Sequence, residues 1–216
     1  MIDLCLFDLD GTLTDPKVGI TKSVAYALNS FGIHIADLDD LTRFIGPPLR
    51  DSFQDFYNFT EAQAEEAVSK YREYFSVTGI FENTLYNGIL EMLAYLKDEN
   101  VTMVIATSKP TVYAERIAEH FGFMKYFSLV SGCEFDGTRS RKSEVICYAL
   151  DIVDPGRNMT AAIIGDREHD IIGGRETSIN SIGVTWGYGS RFELEEANAT
   201  WIVDTTDELC RLILTG

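Results

Sequence analysis

The chain opens with an apolar segment that leads directly into two carboxylates, Leu4-Cys5-Leu6-Phe7-Asp8-Leu9-Asp10-Gly11-Thr12. A continuous run of four apolar residues is typical of a strand that is covered on both faces, as in a parallel sheet. Because side chains alternate along a strand, Asp8 and Asp10 point the same way. Two like charges favour a cation beside them, and hard divalent cations prefer carboxylate oxygens. The stretch therefore predicts a parallel α/β sheet with a metal-assisted phosphoryl-transfer site after its first strand.

Composition and charge exclude several classes of partner. The 216 residues are 45% hydrophobic, which is enough for a packed core, and their formal net charge is -16. This charge repels nucleic-acid backbones and anionic membrane surfaces. No apolar stretch has the length of a membrane span, and the first apolar run is too short for a secretory signal. We expect a cytoplasmic monomer or weak homodimer that binds neither nucleic acid nor membranes.

Apolar runs alternate with helical patterns along most of the chain. After the first strand, runs typical of strands recur at 103–106, 127–130, 161–164 and 182–184. Helical patterns separate them at 86–97, 111–120, 143–150 and 171–177. Strands that alternate with helices predict a doubly wound parallel sheet, with right-handed crossovers that place helices on both faces.

One long segment interrupts this alternation, because the chain between the first strand and Tyr86 contains no convincing strand. Helical spacing is visible in Ile20, Val24, Ala27, Leu28 and Phe31. A capping-box pattern at Thr60-Glu61-Ala62-Gln63 predicts a further helix. We therefore predict a Rossmann-like catalytic core of residues 1–15 and 82–216, and a small all-helical cap of residues 16–81. The cap is expected over the carboxyl end of the sheet, where open α/β sheets bind ligands.

Polar clusters follow two further strand ends. The run that ends at Ala106 continues into Thr107-Ser108-Lys109-Pro110, and the run that ends at Ile164 continues into Gly165-Asp166-Arg167-Glu168-His169-Asp170. Because the carboxyl ends of parallel strands meet at one edge of a sheet, Asp8 and Asp166 can hold a metal together. Lys142 begins a helical pattern after a polar loop and can reach the same edge.

In this order, the clusters resemble the four motifs of the haloacid dehalogenase superfamily of phosphohydrolases, over the whole chain. The first motif matches Asp8-Leu9-Asp10-Gly11-Thr12, the hydroxyl motif Thr107, the lysine motif Lys142, and the acidic motif Gly165-Asp166 with Asp170. The helical insert is similar to the C1 cap of that family. Residues 46–49, 106–110 and 165–170 are most similar to the bacterial phosphoglycolate phosphatase group and its nucleotidase-like relatives.

The resemblance implies separate roles for the carboxylates. Asp8 would be the nucleophile that takes the phosphoryl group. Asp10 would first protonate the leaving oxygen and then deprotonate water, so we predict a raised pKa for Asp10 in the substrate complex. Mg²⁺ would bind a carboxylate oxygen of Asp8, the backbone carbonyl of Asp10 and a carboxylate oxygen of Asp166. Asp170 would contact the metal through water or hold Lys142 in place.

The resemblance also implies which groups hold the phosphate. The Thr107 hydroxyl, the Lys142 ammonium and backbone amides near Leu9 and Ser108 would contact the phosphoryl oxygens. Lys109 and Arg141 are the alternatives to Lys142 for this role, because both also lie in polar segments close to the motifs.

The sequence therefore predicts a Mg²⁺-dependent phosphomonoesterase that acts on a small phosphorylated metabolite through an aspartyl-phosphate. Phosphoglycolate is the first substrate candidate by resemblance, a nucleoside monophosphate the second and pyrophosphate the third. An aspartate-phosphorylated receiver domain and a catalytically silent binding protein are alternatives of other classes. A receiver would retain its phosphoryl group, whereas an enzyme would release phosphate rapidly from simple esters.

Overall fold

A computed structural model describes all 216 residues. The main sheet consists of the strands β1 (Leu4–Phe7), β4 (Thr102–Pro110), β5 (Leu129–Cys133), β6 (Ala161–Gly165), β7 (Asn180–Val184) and β8 (Trp201–Val203). These six strands are all parallel, and their order is β5-β4-β1-β6-β7-β8. Two further strands, β2 (Thr14–Asp15) and β3 (Thr84–Leu85), form a separate two-stranded sheet.

The first strand lies in the middle of the sheet. Leu4 is in register with Thr102 of β4 on one side and with Ala161 of β6 on the other. All four residues of β1 are buried, as expected for a central parallel strand. This register brings the carboxyl ends of β4, β1 and β6 to the same edge of the sheet, so the predicted motifs that follow these strands are neighbours.

The helices of the core alternate with its strands. They are α4 (Ile89–Asp98), α5 (Thr111–His120), α6 (Lys142–Val153), α7 (Glu168–Glu176), α8 (Arg191–Glu196) and α9 (Thr206–Thr215). Leu4 and Leu6 belong to a buried cluster with Val145 and Ile146 of α6. On the opposite face of β1, the Phe7 ring meets the Phe127 ring edge to face. Both faces of β1 are therefore packed, and the predicted doubly wound α/β fold is confirmed.

Contacts along the chain divide it into two compact units, Met1–Asp15 with Leu85–Gly216 and Pro16–Thr84. The second unit consists of α1 (Lys17–Ser30), α2 (Leu49–Tyr57) and α3 (Glu61–Phe75), together with short 3-10 helices at Leu38–Phe44 and Gly79–Phe81. The predicted capping box of α3 is confirmed, since Thr60 and Gln63 each accept the backbone N–H of the other. The predicted domain boundaries at residues 16 and 82 stay a prediction.

The interior of the second unit is aromatic. Phe44 and Phe53 are both fully buried, with ring centroids 5.1 Å apart. The Phe53 ring also stacks on Phe59, at 5.9 Å and an interplanar angle of 8°. Offset or tilted ring pairs at these distances stabilise a small core beyond the area that they bury. Aromatic packing therefore holds this unit together.

Several element bounds differ from the sequence prediction. The strand predicted at 127–130 begins two residues later, at Leu129, because Met124–Tyr126 forms a 3-10 helix before it. Strand β4 does not end at Ala106 but continues through Pro110. The edge strand β8 and the helices α8 and α9 were not predicted. None of the helices is both long and apolar enough to cross a bilayer.

Candidate active site

The carboxyl edge of the sheet carries a buried group of charged side chains. The segments that directly follow β1 and β6, the end of β4 and the first turns of α6 and α7 supply Asp8, Asp10, Thr107, Lys109, Lys142, Asp166 and Asp170. Every one of them is at least nine-tenths buried. Charged residues are rarely buried unless they are paired, so their mutual contacts define how this edge is built.

Lys142 neutralises two of the carboxylates. Its Nζ lies 2.8 Å from Oδ1 of Asp8 and 2.8 Å from Oδ1 of Asp170, and it donates to the Ala106 carbonyl at 3.1 Å. Burial lowers the pKa of Lys142, but Asp170 and Asp8 outweigh it and the net shift is upward, so the side chain is cationic. Asp170 is fixed in turn at the start of α7, where its Oδ2 accepts the Arg167 N–H at 3.2 Å. The structure therefore brings together three of the predicted site residues.

Three carboxylates have the arrangement of a cation site. One oxygen each from Asp8, Asp166 and Asp170 lies within 4.8 Å of the others. Burial, followed by the charges of Asp170 and Asp8, raises the pKa of Asp166 to about 7. An all-oxygen donor set of this kind suits Mg²⁺, and a divalent cation would remove the repulsion that raises this pKa. The residues present fit the magnesium ion that the sequence predicts.

A glycine-rich loop after β7 holds Asp166 in place. The Tyr188 backbone N–H donates to Asp166 Oδ2 at 2.7 Å, and the Thr12 hydroxyl lies 3.4 Å from Oδ1. A Cβ on Gly187 would lie only 2.4 Å from the same Oδ2, so this close approach requires glycine. The Trp186 indole N–H donates to the Thr12 carbonyl at 3.0 Å and ties the loop to the first motif. Sequence reasoning missed this loop, because its partners are distant along the chain.

Asp10 forms an ion pair with a second buried lysine, Lys109. Lys109 Nζ lies 2.6 Å from Asp10 Oδ2, whereas Asp10 Oδ1 is buried with no hydrogen-bond partner in the protein. Burial raises the pKa of Asp10, against the lowering influence of Lys109. The sequence analysis named Lys109 only as an alternative to Lys142 for holding the phosphate and did not predict its contact with Asp10, although Lys109 follows Thr107 by two residues on the same strand. That spacing, which puts two residues on one face of a strand, is the signal that could have found it.

The predicted phosphate-binding residues occupy one short stretch of β4 and the start of α6. Thr107 is buried and its hydroxyl accepts the Lys109 N–H at 3.3 Å, while Ser108 is half-buried. Their roles toward phosphate stay predictions. A parallel sheet whose carboxyl edge gathers aspartates, lysines and a threonine defines the class: a doubly wound α/β enzyme with an acidic site.

Comparisons with known proteins identify the family to which the chain is similar. The sequence model of the family described as "Haloacid dehalogenase-like hydrolase" matches residues 5–184. The chain is 48% identical to a 5'-nucleotidase of Pseudomonas aeruginosa over 90% of this chain and 88% of that protein. It is also 36% identical to the tyrosine-protein kinase PtkA of Mycobacterium tuberculosis, over 95% of this chain and 70% of that protein.

A solved structure shows the same fold. The crystal structure of a predicted phosphatase from Clostridium acetobutylicum superposes with a TM-score of 0.94 at 48% identity, covering 99% of each chain. The chain therefore belongs to the haloacid dehalogenase-like hydrolase family, and it is a phosphatase. The resemblance stated from the four motifs is confirmed at the level of the family.

Proposed function

We propose that this phosphatase is a Mg²⁺-dependent phosphomonoesterase that forms an aspartyl-phosphate on Asp8. The observation that carries the proposal is the environment of Asp8, which lies beside the Lys142 ammonium at 2.8 Å and within the three-carboxylate cluster. Asp10 follows two residues later and provides a second carboxyl group for proton transfer. A single carboxylate does not serve both purposes, because it is not free to handle protons while it carries the phosphoryl group.

The reaction would proceed in two displacements. In the first, an Asp8 carboxylate oxygen attacks phosphorus, the ester P–O bond breaks, and the Asp10 carboxyl group gives its proton to the leaving oxygen. In the second, Asp10 takes a proton from water as that water attacks the phosphorus of the Asp8 acyl-phosphate. The P–O bond to Asp8 breaks, the Asp8 carboxylate is regenerated, and inorganic phosphate leaves. Lys142 and the Thr107 hydroxyl would neutralise and orient the phosphoryl oxygens, which is the main demand of phosphoryl transfer.

Asp8, Asp166 and the Asp10 backbone carbonyl would hold Mg²⁺, with Asp170 in support. The ion supplies charge neutralisation at the phosphoryl oxygens. Mg²⁺ is typical of the family and of all-oxygen donor sets such as this one. The cytoplasmic location and the state of a monomer or weak homodimer stay predictions.

For the substrate, we rank a nucleoside 5'-monophosphate before phosphoglycolate. The sequence motifs alone favoured phosphoglycolate, but the relative that is 48% identical over most of both chains is named 5'-nucleotidase. Phosphoglycolate remains the second candidate and pyrophosphate the third.

The proposal is tested by a panel of phosphate esters assayed with Mg²⁺ and with a chelator. AMP, phosphoglycolate, pyrophosphate and p-nitrophenyl phosphate are offered to the wild type, Asp8→Asn and Asp10→Asn. We expect Mg²⁺-dependent release of phosphate that Asp8→Asn lowers by about 10³-fold or more, because the nucleophile is lost. The matched control is Asp98→Asn, an exposed carboxylate at the end of α4. A long-lived phosphoprotein without release would identify a receiver, and activity that survives Asp8→Asn would exclude the covalent mechanism.

A further inference from the structure

We propose that Lys109 is a positioning residue for the general acid and base Asp10, an inference that rests on the function proposed above. Lys109 Nζ holds Asp10 Oδ2 at 2.6 Å, and the other oxygen, Oδ1, has no partner in the protein. The ion pair thereby fixes which oxygen of Asp10 faces the reacting atoms. Lys109 acts on the leaving group through Asp10, and not by contact with the phosphoryl group.

The backbone of β4 explains how a lysine reaches this position. Ala106 pairs with Ser131 of β5, but the next paired residues are Pro110 and Cys133, so β4 has two extra residues in this interval. Thr107 and Lys109 are buried, while Ser108 between them is half-buried, which is the alternation of an extended chain. This alternation places Lys109 on the same side of β4 as Thr107.

Neighbouring groups restrict the segment around Lys109. Its N–H donates to the Thr107 hydroxyl oxygen at 3.3 Å. A Cβ on Gly132 would lie 2.4 Å from the Lys109 carbonyl oxygen, so glycine at this place in β5 permits the close approach of β4. The exposed fraction of the Lys109 side chain is only 6%. A lysine fixed along its whole length delivers its ammonium group to one place, as the positioning of Asp10 requires.

The two buried lysines of the site thus have different partners. Lys142 contacts Asp8 and Asp170, whereas Lys109 contacts Asp10. A lysine that binds the phosphoryl group assists every ester equally, because that group is common to all of them. In the first displacement, a lysine that orients the general acid assists only those esters whose leaving oxygen needs a proton. The dependence of activity on the leaving group therefore separates the two roles.

The experiment compares AMP, whose ribose alkoxide must be protonated as it leaves, with p-nitrophenyl phosphate, whose phenolate leaves without a proton. In single turnovers with enzyme in excess, release of the leaving group reports the first displacement alone, and there we expect Lys109→Met to lower the rate for AMP by about 10²-fold and the rate for p-nitrophenyl phosphate by less than about 10-fold. Lys109→Arg retains a cation and is expected to recover part of the loss on AMP. Lys97→Met, an exposed lysine in the last turn of α4, is the matched control and should leave both rates unchanged.

Asp10→Asn and the double variant Lys109→Met/Asp10→Asn complete the test. If Lys109 acts through Asp10, the double variant shows the same AMP rate as Asp10→Asn alone. This variant also removes both partners of the buried ion pair, so it keeps the comparison available if Lys109→Met alone does not fold. The positioning role is wrong if Lys109→Met lowers the single-turnover release of both leaving groups equally, or if the loss in the double variant is the product of the two single losses.

The same data distinguish failure of this inference from failure of the proposed function. If Asp10→Asn itself lowers the single-turnover release of both leaving groups equally, Asp10 is not the general acid and both proposals are wrong. If Asp10→Asn affects AMP selectively and Lys109→Met does not, the mechanism stands and only the role of Lys109 is wrong.

Discussion

The carboxyl edge of the core sheet and the interior of the helical unit are both buried, but they are built from opposite kinds of side chain. The sheet edge buries four aspartates and two lysines, namely Asp8, Asp10, Asp166, Asp170, Lys109 and Lys142. The helical unit buries rings such as Phe44 and Phe53, and its Arg50–Glu65 ion pair is exposed. Buried ions cost much desolvation energy and are weak evidence of stability, whereas buried rings stabilise directly. The difference shows which region is arranged for chemistry and which for packing.

Lys142→Met is expected to have the largest effect on the sheet edge. The variant leaves Asp8 and Asp170 buried without the ammonium group that lies 2.8 Å from each. We expect the free energy of unfolding to fall by about 3–5 kcal/mol, because two uncompensated charges remain. Phosphatase activity should disappear as well. Urea denaturation and steady-state hydrolysis measure the two effects.

A triple variant sharpens this result. Lys142→Met with Asp8→Asn and Asp170→Asn replaces all three charges by neutral groups of similar shape. Most of the lost stability should return, while the protein stays inactive. If the triple variant is no more stable than Lys142→Met, the loss comes from packing of the lysine stem and not from unpaired charge.

Phe53→Ala is the corresponding change in the helical unit. Phe53 is fully buried and packs against the rings of Phe44 and Phe59. We expect a loss of about 3 kcal/mol in the free energy of unfolding, from lost transfer energy and from the cavity. Phe192→Ala removes an exposed ring from α8 and should change stability by less than about 0.5 kcal/mol. Similar losses in both variants would contradict an aromatic core in this unit.

The pH dependence of stability without metal tests the cost of the acidic cluster. The pKa of Asp166 is about 7 in the folded protein and 3.8 for an ordinary aspartate, so the folded state holds its proton longer. The contribution of Asp166 to the free energy of unfolding is therefore fully present below about pH 3.8, and it is lost as the pH rises through about 7. In a chelator, we expect a lower melting temperature near pH 8 than near pH 6.

Mg²⁺ should reverse this loss, because it replaces the proton on the carboxylates. At a concentration of about 100 times its Kd, Mg²⁺ stabilises the folded state by about 2.7 kcal/mol near pH 8, and by less near pH 6. Thermal denaturation with and without Mg²⁺ measures the stabilisation at each of the two pH values. Asp166→Asn should abolish most of the Mg²⁺ effect, and an undiminished effect would place the ion elsewhere.

The smallest effect is expected from Thr60→Ala, at the start of α3. The variant removes the hydroxyl that accepts the Gln63 N–H at 3.3 Å and should cost about 1 kcal/mol. Thr60→Ser retains the capping oxygen and should be nearly neutral. Neither variant should change kcat, since the N-cap residue of α3 serves only to stabilise that helix. A reduced kcat at unchanged stability would show that the helical unit does more than pack.

The sheet could be predicted from the sequence where its strands are fully buried. Strand β1 and strand β6 are continuous apolar runs, and such runs are visible without knowledge of their neighbours. Strand β8 has only three residues, two of them half-buried, so no period distinguishes it from a loop. The helix α3 was predictable because its capping box is a local interaction between residues three apart.

The site was predictable as a set of motifs but not as a set of pairs. The positions of Asp8, Asp166 and Lys142 follow from strand ends and motif order. The spacing along β4 indicates the side on which Lys109 lies, but its pairing with Asp10 joins two segments that are distant along the chain, and no local pattern encodes such a contact. In the same way, Gly187 is explained by a contact with Asp166 that only the folded chain creates.

The central place of β1 has a consequence for how the chain folds during synthesis. Phe7, which precedes the proposed nucleophile, pairs with Ile105 on one side and with Ile164 on the other. Contacts of such long sequence separation form slowly, and translation delivers only about 5–20 residues each second. The ribosome must therefore release about three quarters of the chain before β1 gains its second neighbour. Until then, β1 has one unpaired edge, and an unpaired apolar edge is the kind of surface through which folding intermediates aggregate.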